Sequence, residues 1–199
     1  MKRLELLFDL DNMITDLFGT WLALYNAEMS EDDEDDICPE HCTGSLHHVV
    51  QNEPGLWELM NREGFFLHLQ PLPGALEALE WAHEQGHEVK ICTSPGQSVF
   101  APSEKTIWVL KHAPFLVQND LIICNNKWKI HGDVLLDDTV NKVDKWKEKH
   151  PNGKTMGIAW PYNEHGKYDL RADSYLDTEA AWEEIKGAII RLSMADFSS

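Results

Sequence analysis

Apolar residues along this chain recur in two rhythms. Dense short runs occupy residues 4–8, 88–92, 121–124, 134–136 and 155–159. Runs of that length and density predict strands covered on both faces. Between them the apolar positions lie three and four apart. Leu17, Trp21, Leu22, Leu24 and Tyr25 form one stripe over residues 16–29, and Leu56, Trp57, Leu59 and Met60 form another over 54–62. Leu76, Leu79 and Ala82 mark a helix over 75–85 that starts after a Pro-Gly turn and stops at Gly86. Ser103 reads as the N-cap of a helix reaching Lys111, with Glu104 in its first turn, where an acid suits the macrodipole. Two more helices are predicted over 141–150 and 178–193, the last carrying Ala181, Ile185, Ala188, Ile189 and Leu192.

Strands alternating with helices imply an α/β fold, a doubly wound parallel sheet with right-handed crossovers. Residues 16–69 break the alternation, because they read as helices and loop with no strand. They predict a small helical cap inserted after the first strand, with residues 1–15 and 70–199 forming the core.

The polar residues that close each strand change the picture. Asp9 and Asp11 follow the first run, and positions two apart on extended chain face the same way. Ligands of an open α/β sheet bind at that end of the strands. Two neighbouring carboxylates there repel unless a cation lies between them, so a magnesium site is the natural reading. The second strand ends in Thr93 and Ser94, the third leads to Lys127, and the fourth ends in Asp137 and Asp138. Hydroxyls and backbone N–H groups at such a turn can hold phosphate oxygens, and a lysine can neutralise them. Asp9 is then free to attack phosphorus while Asp11 protonates the leaving oxygen and later activates water. Taken singly, Thr93 could just end a strand, Lys127 could be a surface lysine, and Asp137 and Asp138 could cap a helix. Their joint placement at four strand ends carries the chemistry. Asp133 would permit another metal reading, but four extended residues span about 13 Å, which puts it near the opposite end of its strand.

Composition narrows the partners. The chain has 199 residues, 43% hydrophobic, enough for one cored domain with an insertion. Its 34 acidic against 17 basic residues give a net charge of −17. Such a surface repels a nucleic-acid polymer but admits a small phosphorylated substrate where metal and lysine reverse the field. No apolar run reaches the length of a membrane span, and residues 1–5 lead straight into the first strand, so a cytoplasmic protein is expected. Cys92 and Cys124, inside predicted strands, fit buried reduced thiols. The cap region also holds six consecutive acids, Glu31 to Asp36, followed by Cys38, His41, Cys42, His47 and His48. Cys and His at this density could bind zinc, but no second Cys-x-x-Cys pair completes a four-ligand set, so a solvated loop is expected there, with a structural metal at Cys38, His41 and Cys42 as the alternative.

Four motifs, Phe8-Asp-Leu-Asp11, Ile91-Cys-Thr-Ser-Pro95, Lys127 and Gly132-Asp-Val-Leu-Leu-Asp-Asp138, resemble those of the haloacid dehalogenase (HAD) superfamily of phosphohydrolases. Residues 64–75, and Glu104-Lys105 with Trp108-Val109, are most similar to the 5′(3′)-deoxyribonucleotidases within it. The likeness covers residues 1–15 and 64–140 and is faint in the cap. After residue 160 it is weak, with Pro161-Tyr-Asn163 as one remaining match. The resemblance implies a HAD-like core, a nucleophile at Asp9, a proton donor at Asp11, and phosphate contacts at Thr93, Ser94 and Lys127. It implies Mg²⁺ held by Asp9, the Asp11 main chain and Asp138, with Asp137 in support. It also implies aromatics against a base, here Phe65 and Phe66 with Trp57 or Phe18, although Phe65 and Phe66 read equally well as core. Asn12 stands where relatives commonly have glycine, and Thr139 where an arginine often follows the acidic pair. The expected function is a Mg²⁺-dependent phosphomonoesterase for nucleoside monophosphates, with deoxyribonucleotides the expected substrates. The alternatives are a HAD-type phosphatase for another small phosphate ester, and a metal- or nucleotide-binding protein with a degenerate site. The expected partner is a nucleotide, with neither nucleic-acid polymer nor membrane, and with pairing into a homodimer left open.

Overall fold

In a computed structural model, residues 2–29, 37–42, 53–117, 120–173 and 175–195 are described. The first strand, β1 (Glu5–Phe8), runs through the middle of the sheet because Leu6, Leu7 and Phe8 are apolar on both of its faces and all buried. Beside it lie β2 (Glu88–Thr93) and β3 (Leu121–Ile123) on one side, and β4 (Val134–Leu136), β5 (Lys154–Ile158) and β6 (Leu170–Ala172) on the other. The order is β3-β2-β1-β4-β5-β6, and every pairing is parallel. Winding therefore reverses between β1 and β4, the crevice where such sheets take ligands.

Alternate strand residues feed two cores. Leu6, Phe8, Val89, Ile91, Val134 and Leu136 join the large core that includes residues of α3 (Ala75–Glu84) and α6 (Thr178–Met194). Leu7, Cys92 and Leu135 point the other way, onto Trp146 of α5 (Val140–Lys149). The doubly wound expectation holds. It missed β6, whose three residues lie between Asp169 and Asp173 and owe their strand state to pairing with β5 rather than to any apolar run.

Residues 16–69 contain α1 (Leu17–Met29) and α2 (Glu53–Met60), joined by Trp21, whose indole N–H donates to Leu56 O at 2.7 Å and whose ring lies 5.3 Å from that of Trp57. Asp16 opens α1, accepting from Gly19 N through its side chain. Its own N–H donates to Gln70 O, so the segment leaves and rejoins the core at adjacent points. The acidic run, His47 and His48 lie outside the described residues, as does the His41 side chain. Cys38 is exposed and Cys42 buried, its thiol pushed up to about 11 chiefly by burial. No helix among the described residues is long and apolar enough to cross a membrane.

The fourth helix needs correcting. α4 spans Ala101–His112 with Phe100 at its N-cap, and Ser103 lies inside it, donating to Phe100 O. Glu104 does lie in the first turn, as expected, but it is turned inward. It is 4% exposed, and its two carboxylate oxygens accept from Gly64 N at 2.6 Å and Phe66 N at 3.0 Å.

Candidate active site

The extended chain of β1 ends at Phe8, and residues 10–15 form a hydrogen-bonded turn in which Ile14 N and Thr15 N both donate to Leu10 O. Asp9 and Asp11 therefore do not share a face by strand periodicity, as the sequence suggested. Each is instead held by its own buried lysine. Lys127, fully buried on a short turn after β3, lies 2.7 Å from Asp9 Oδ2 and 2.6 Å from Asp137 Oδ2. Lys105, 2% exposed on α4, donates to Asp11 Oδ2 and at 2.9 Å to Ser94 O, with Thr93 Oγ1 3.4 Å away. Asp11 Oδ1 and Ser94 Oγ are buried with no hydrogen-bond partner among the described residues.

Asp9, Asp137 and Asp138 form the site's acidic centre. Each is buried, and one ligand atom from each lies within 4.8 Å of the others. Burial favours the neutral acid at all three, and the local charges decide which way each moves. At Asp9 that penalty is outweighed by Lys127, with help from Lys142 and Lys105, and its pKa falls below the ordinary value. Asp137 is pushed up by burial despite Lys127. Asp138 lacks a lysine of its own, and burial with the charges of Asp137 and Asp9 pushes it up to about 6. Lys127 is held above its usual value because Asp137 and Asp9 outweigh its own desolvation. Among the described residues one lysine touches these three carboxylates and Lys142 acts from further off, so negative charge stays in excess. Hard oxygen donors at this spacing fit a small divalent cation.

Hydrogen bonds fix the carboxylates further. Asp9 Oδ1 accepts from Leu10 N at 2.7 Å, and Asp137 Oδ1 from Thr139 N at 2.8 Å. With one oxygen on Lys127 and the other on Thr139, Asp137 is engaged on both sides. Asp138 Oδ2 accepts from Asn12 Nδ2 at 3.0 Å and from the Tyr162 hydroxyl at 2.7 Å. Asp133 is far from this edge, exchanging hydrogen bonds with Glu5 at the start of the strands.

The structure thus brings Asp9, Asp11, Thr93, Ser94, Lys127, Asp137 and Asp138 to one end of the sheet. The four aromatics are wholly or partly buried, and Phe66 and Phe18 adjoin that end through Lys105 and Tyr162. Phe65 and Phe66 are buried against each other, and Lys105 Nζ lies 4.9 Å above the Phe66 ring. Phe18 is buried against Trp160 and Tyr162, and Trp57 is partly buried against Trp21. Sequence reasoning gave no site role to Lys105, Asn12 or Tyr162. A signal for Lys105 was present. Ala101, Glu104, Lys105, Trp108 and Val109 are the buried stripe of α4, and two charges on an apolar stripe must be paired inside.

Comparison with known proteins identifies the family and the fold. The family described as 5′ nucleotidase, deoxy (pyrimidine), cytosolic type C protein matches residues 2–188. The mitochondrial 5′(3′)-deoxyribonucleotidase of Mus musculus is 30% identical over 178 residues, covering 82% of this chain and 76% of the mouse protein. Its Homo sapiens counterpart is 32% identical over 148 residues, covering 69% of this chain and 63% of the human protein. Among solved structures, a HAD family hydrolase from Deinococcus radiodurans superposes with a TM-score of 0.53 at 14% identity, over 92% of this chain and 96% of that one. A HAD-superfamily hydrolase from Ehrlichia chaffeensis gives 0.52 at 14%, over 96% and 98%. The fold is HAD-like.

Proposed function

We propose that this chain, which belongs to the family of 5′ nucleotidase, deoxy (pyrimidine), cytosolic type C proteins, is a phosphomonoesterase that hydrolyses nucleoside monophosphates, deoxyribonucleotides foremost. One observation carries the reading. A buried carboxylate with a lowered pKa, Asp9, sits at the end of the central strand beside two buried lysines and two further buried acids. The names of the mouse and human relatives supply the substrate class.

Asp9 stays ionised at neutral pH and is the nucleophile. One of its oxygens forms a bond to phosphorus as the bond from phosphorus to the ester oxygen breaks, giving an aspartyl-phosphate. Asp11, oriented by Lys105 and with Oδ1 free of partners, gives the departing oxygen its proton. The same carboxylate then takes a proton from water, which attacks phosphorus and restores Asp9. Lys105 and Lys127 offset charge on the phosphoryl oxygens, and Thr93 and Ser94 offer hydroxyls to them. Asp9, Asp138 and the Asp11 main chain would hold Mg²⁺, with Asp137 in support through Lys127 and Thr139. Bound there, the cation supplies further neutralisation of the phosphoryl group.

A phosphate-release screen of deoxyribonucleoside and ribonucleoside monophosphates against sugar phosphates, with Mg²⁺ and with chelator, tests this. Release is expected from the nucleotides, with Mg²⁺ only, and none from a folded Asp9→Asn variant. Substantial turnover by that variant would end the covalent mechanism. A preference for sugar phosphates would end the substrate assignment.

A further inference from the structure

We propose that Asn12 is a positioning residue which, together with Tyr162, fixes Asp138 as a cation ligand and ties that carboxylate to the first turn of α1. This role presupposes the divalent-cation reading of Asp9, Asp137 and Asp138.

Asn12 is 8% exposed and all four of its polar groups are engaged. Its backbone N–H donates to Thr15 O at 2.8 Å, and its carbonyl accepts from Trp160 Nε1 at 3.0 Å. Its side-chain Oδ1 accepts from Phe18 N at 2.7 Å, and its Nδ2 donates to Asp138 Oδ2 at 3.0 Å. Chemistry fixes the amide's orientation, because Phe18 N can only donate and a carboxylate can only accept. The side chain is therefore a bridge. One end satisfies a first-turn N–H of the cap helix, and the other holds a carboxylate of the acidic centre.

Asn12 does this from φ 57, the left-handed region, and it is the one non-glycine residue there among those described. Asparagine tolerates that region better than most side chains, though at a cost that surrounding contacts must offset. The position is one where glycine would be easier for the backbone and useless for the bridge.

Tyr162 reinforces the same link. Its hydroxyl donates to the same Asp138 oxygen at 2.7 Å, while its ring lies 5.5 Å from that of Phe18, on α1. Thr139 Oγ1 meets the other oxygen at 3.1 Å. Asp138 is thus restrained on both oxygens, and two of its three side-chain donors belong to residues that also contact α1. Removing an outer donor to a ligating carboxylate commonly costs 10–100-fold in metal affinity. Because the bridge is shared, cation binding and seating of the first turn of α1 should each favour the other.

The test is calorimetric titration of Mg²⁺ alone into the whole protein, comparing wild type with Asn12→Gly, Tyr162→Phe and the double variant. Glycine accepts φ 57 without strain, and phenylalanine keeps the ring contacts of Tyr162. Each single variant is expected to weaken Mg²⁺ binding by about tenfold or more. Asn12→Gly should also speed hydrogen exchange at the Phe18 amide, which loses its acceptor. Folded variants that bind Mg²⁺ within about twofold of wild type, below that range, would overturn the role, whatever their melting temperatures, since a purely structural residue moves stability alone. Should Asn12→Gly fail to fold, Tyr162→Phe decides. A wild type that takes up no Mg²⁺ would instead sink the cation reading itself, and one that binds Mg²⁺ alongside unaffected variants would sink only this step.

Discussion

Replacing Lys127 with methionine tests whether the acidic centre is held by charge pairing. The side chain is fully buried and its Nζ touches Asp9 and Asp137, so Lys127→Met keeps most of the volume and removes the counter-charge of two carboxylates. Breaking a buried pair by deleting one partner costs roughly 3–5 kcal/mol, because the surviving charge stays buried. For a chain of this length each kcal/mol moves the melting temperature by about 2–4 °C, so a drop of roughly 6–20 °C is expected in chelator at pH 8. The sign of the pH response follows from Asp138 and Asp137. Both folded pKa values are raised, so ionisation of either acid destabilises the fold, and for Asp138, raised to about 6, the penalty fades as pH falls through that value. Without Lys127, Asp9 loses the charge that lowers it and Asp137 rises further, and the gap between variant and wild type should narrow at pH 5.5. Melting curves by circular dichroism at the two pH values read both effects. A loss below about 1 kcal/mol, the range of an exposed pair, or a gap independent of pH, would refute the pairing argument. Adding Asp137→Asn to Lys127→Met should recover part of the loss, since one orphaned charge is then removed.

Two further expectations come from elsewhere in the fold. Asp169 accepts from Lys147, Lys154, Thr155 N and Thr155 Oγ1. These bonds outweigh the burial that would raise its pKa, so it sits below the ordinary value. Asp169→Asn should cost about 1–3 kcal/mol at neutral pH in chemical denaturation. That cost should shrink as pH falls below the ordinary carboxylate value and through the lowered folded one. A cost that is constant with pH would show that packing, not charge, holds Asp169. Phe66→Ala should cost about 3–5 kcal/mol, because the ring is 2% exposed and lies under Lys105. Hydrolysis of nucleotides and of a simple aryl phosphate should then fall alike, whereas a loss confined to nucleotides would identify Phe66 as a base contact.

What could be read in the sequence is what depends on short-range pattern. β1, β2 and β4 were legible because strands covered on both faces must be apolar throughout, and their terminal acids and hydroxyls stand out against that background. β6 was illegible for the opposite reason. Leu170, Arg171 and Ala172 carry no strand signal, and only the hydrogen bonds of β5 make them one. The site divides the same way. Asp9, Asp137 and Asp138 follow strands and could be placed by topology. Lys105 comes from the middle of a helix, and its arrival at Asp11 depends on how α4 lies over the sheet. Glu104 shows how a local rule misleads. A first-turn acid suits a helix dipole anywhere, yet here the carboxylate is buried and serves backbone N–H groups of residues 64 and 66 instead. Asn12 could be seen as a departure from glycine, but its bridge between Asp138 and α1 appears only in three dimensions.

The charge count at the site sets an order of events that can be measured. Asp9, Asp137 and Asp138 have Lys127 in contact and Lys142 acting from further off, which leaves the acids in excess at the strand ends, within a chain of net charge −17. A phosphate dianion approaching that centre meets like charge, and the lysines are already engaged by carboxylates. At pH 8, above the value of about 6 for Asp138, that acid is ionised and adds to the excess. A divalent cation offsets it. Inorganic phosphate should therefore leave the melting temperature unchanged in chelator, Mg²⁺ alone should raise it, and the two together should raise it beyond Mg²⁺ alone. At a hundred times its dissociation constant a ligand stabilises by about 2.7 kcal/mol, which is roughly 5–11 °C for a chain this long. Phosphate that stabilises equally with and without Mg²⁺ would mean that Lys105 and Lys127 suffice to hold the anion, and that the acidic centre is neutralised some other way.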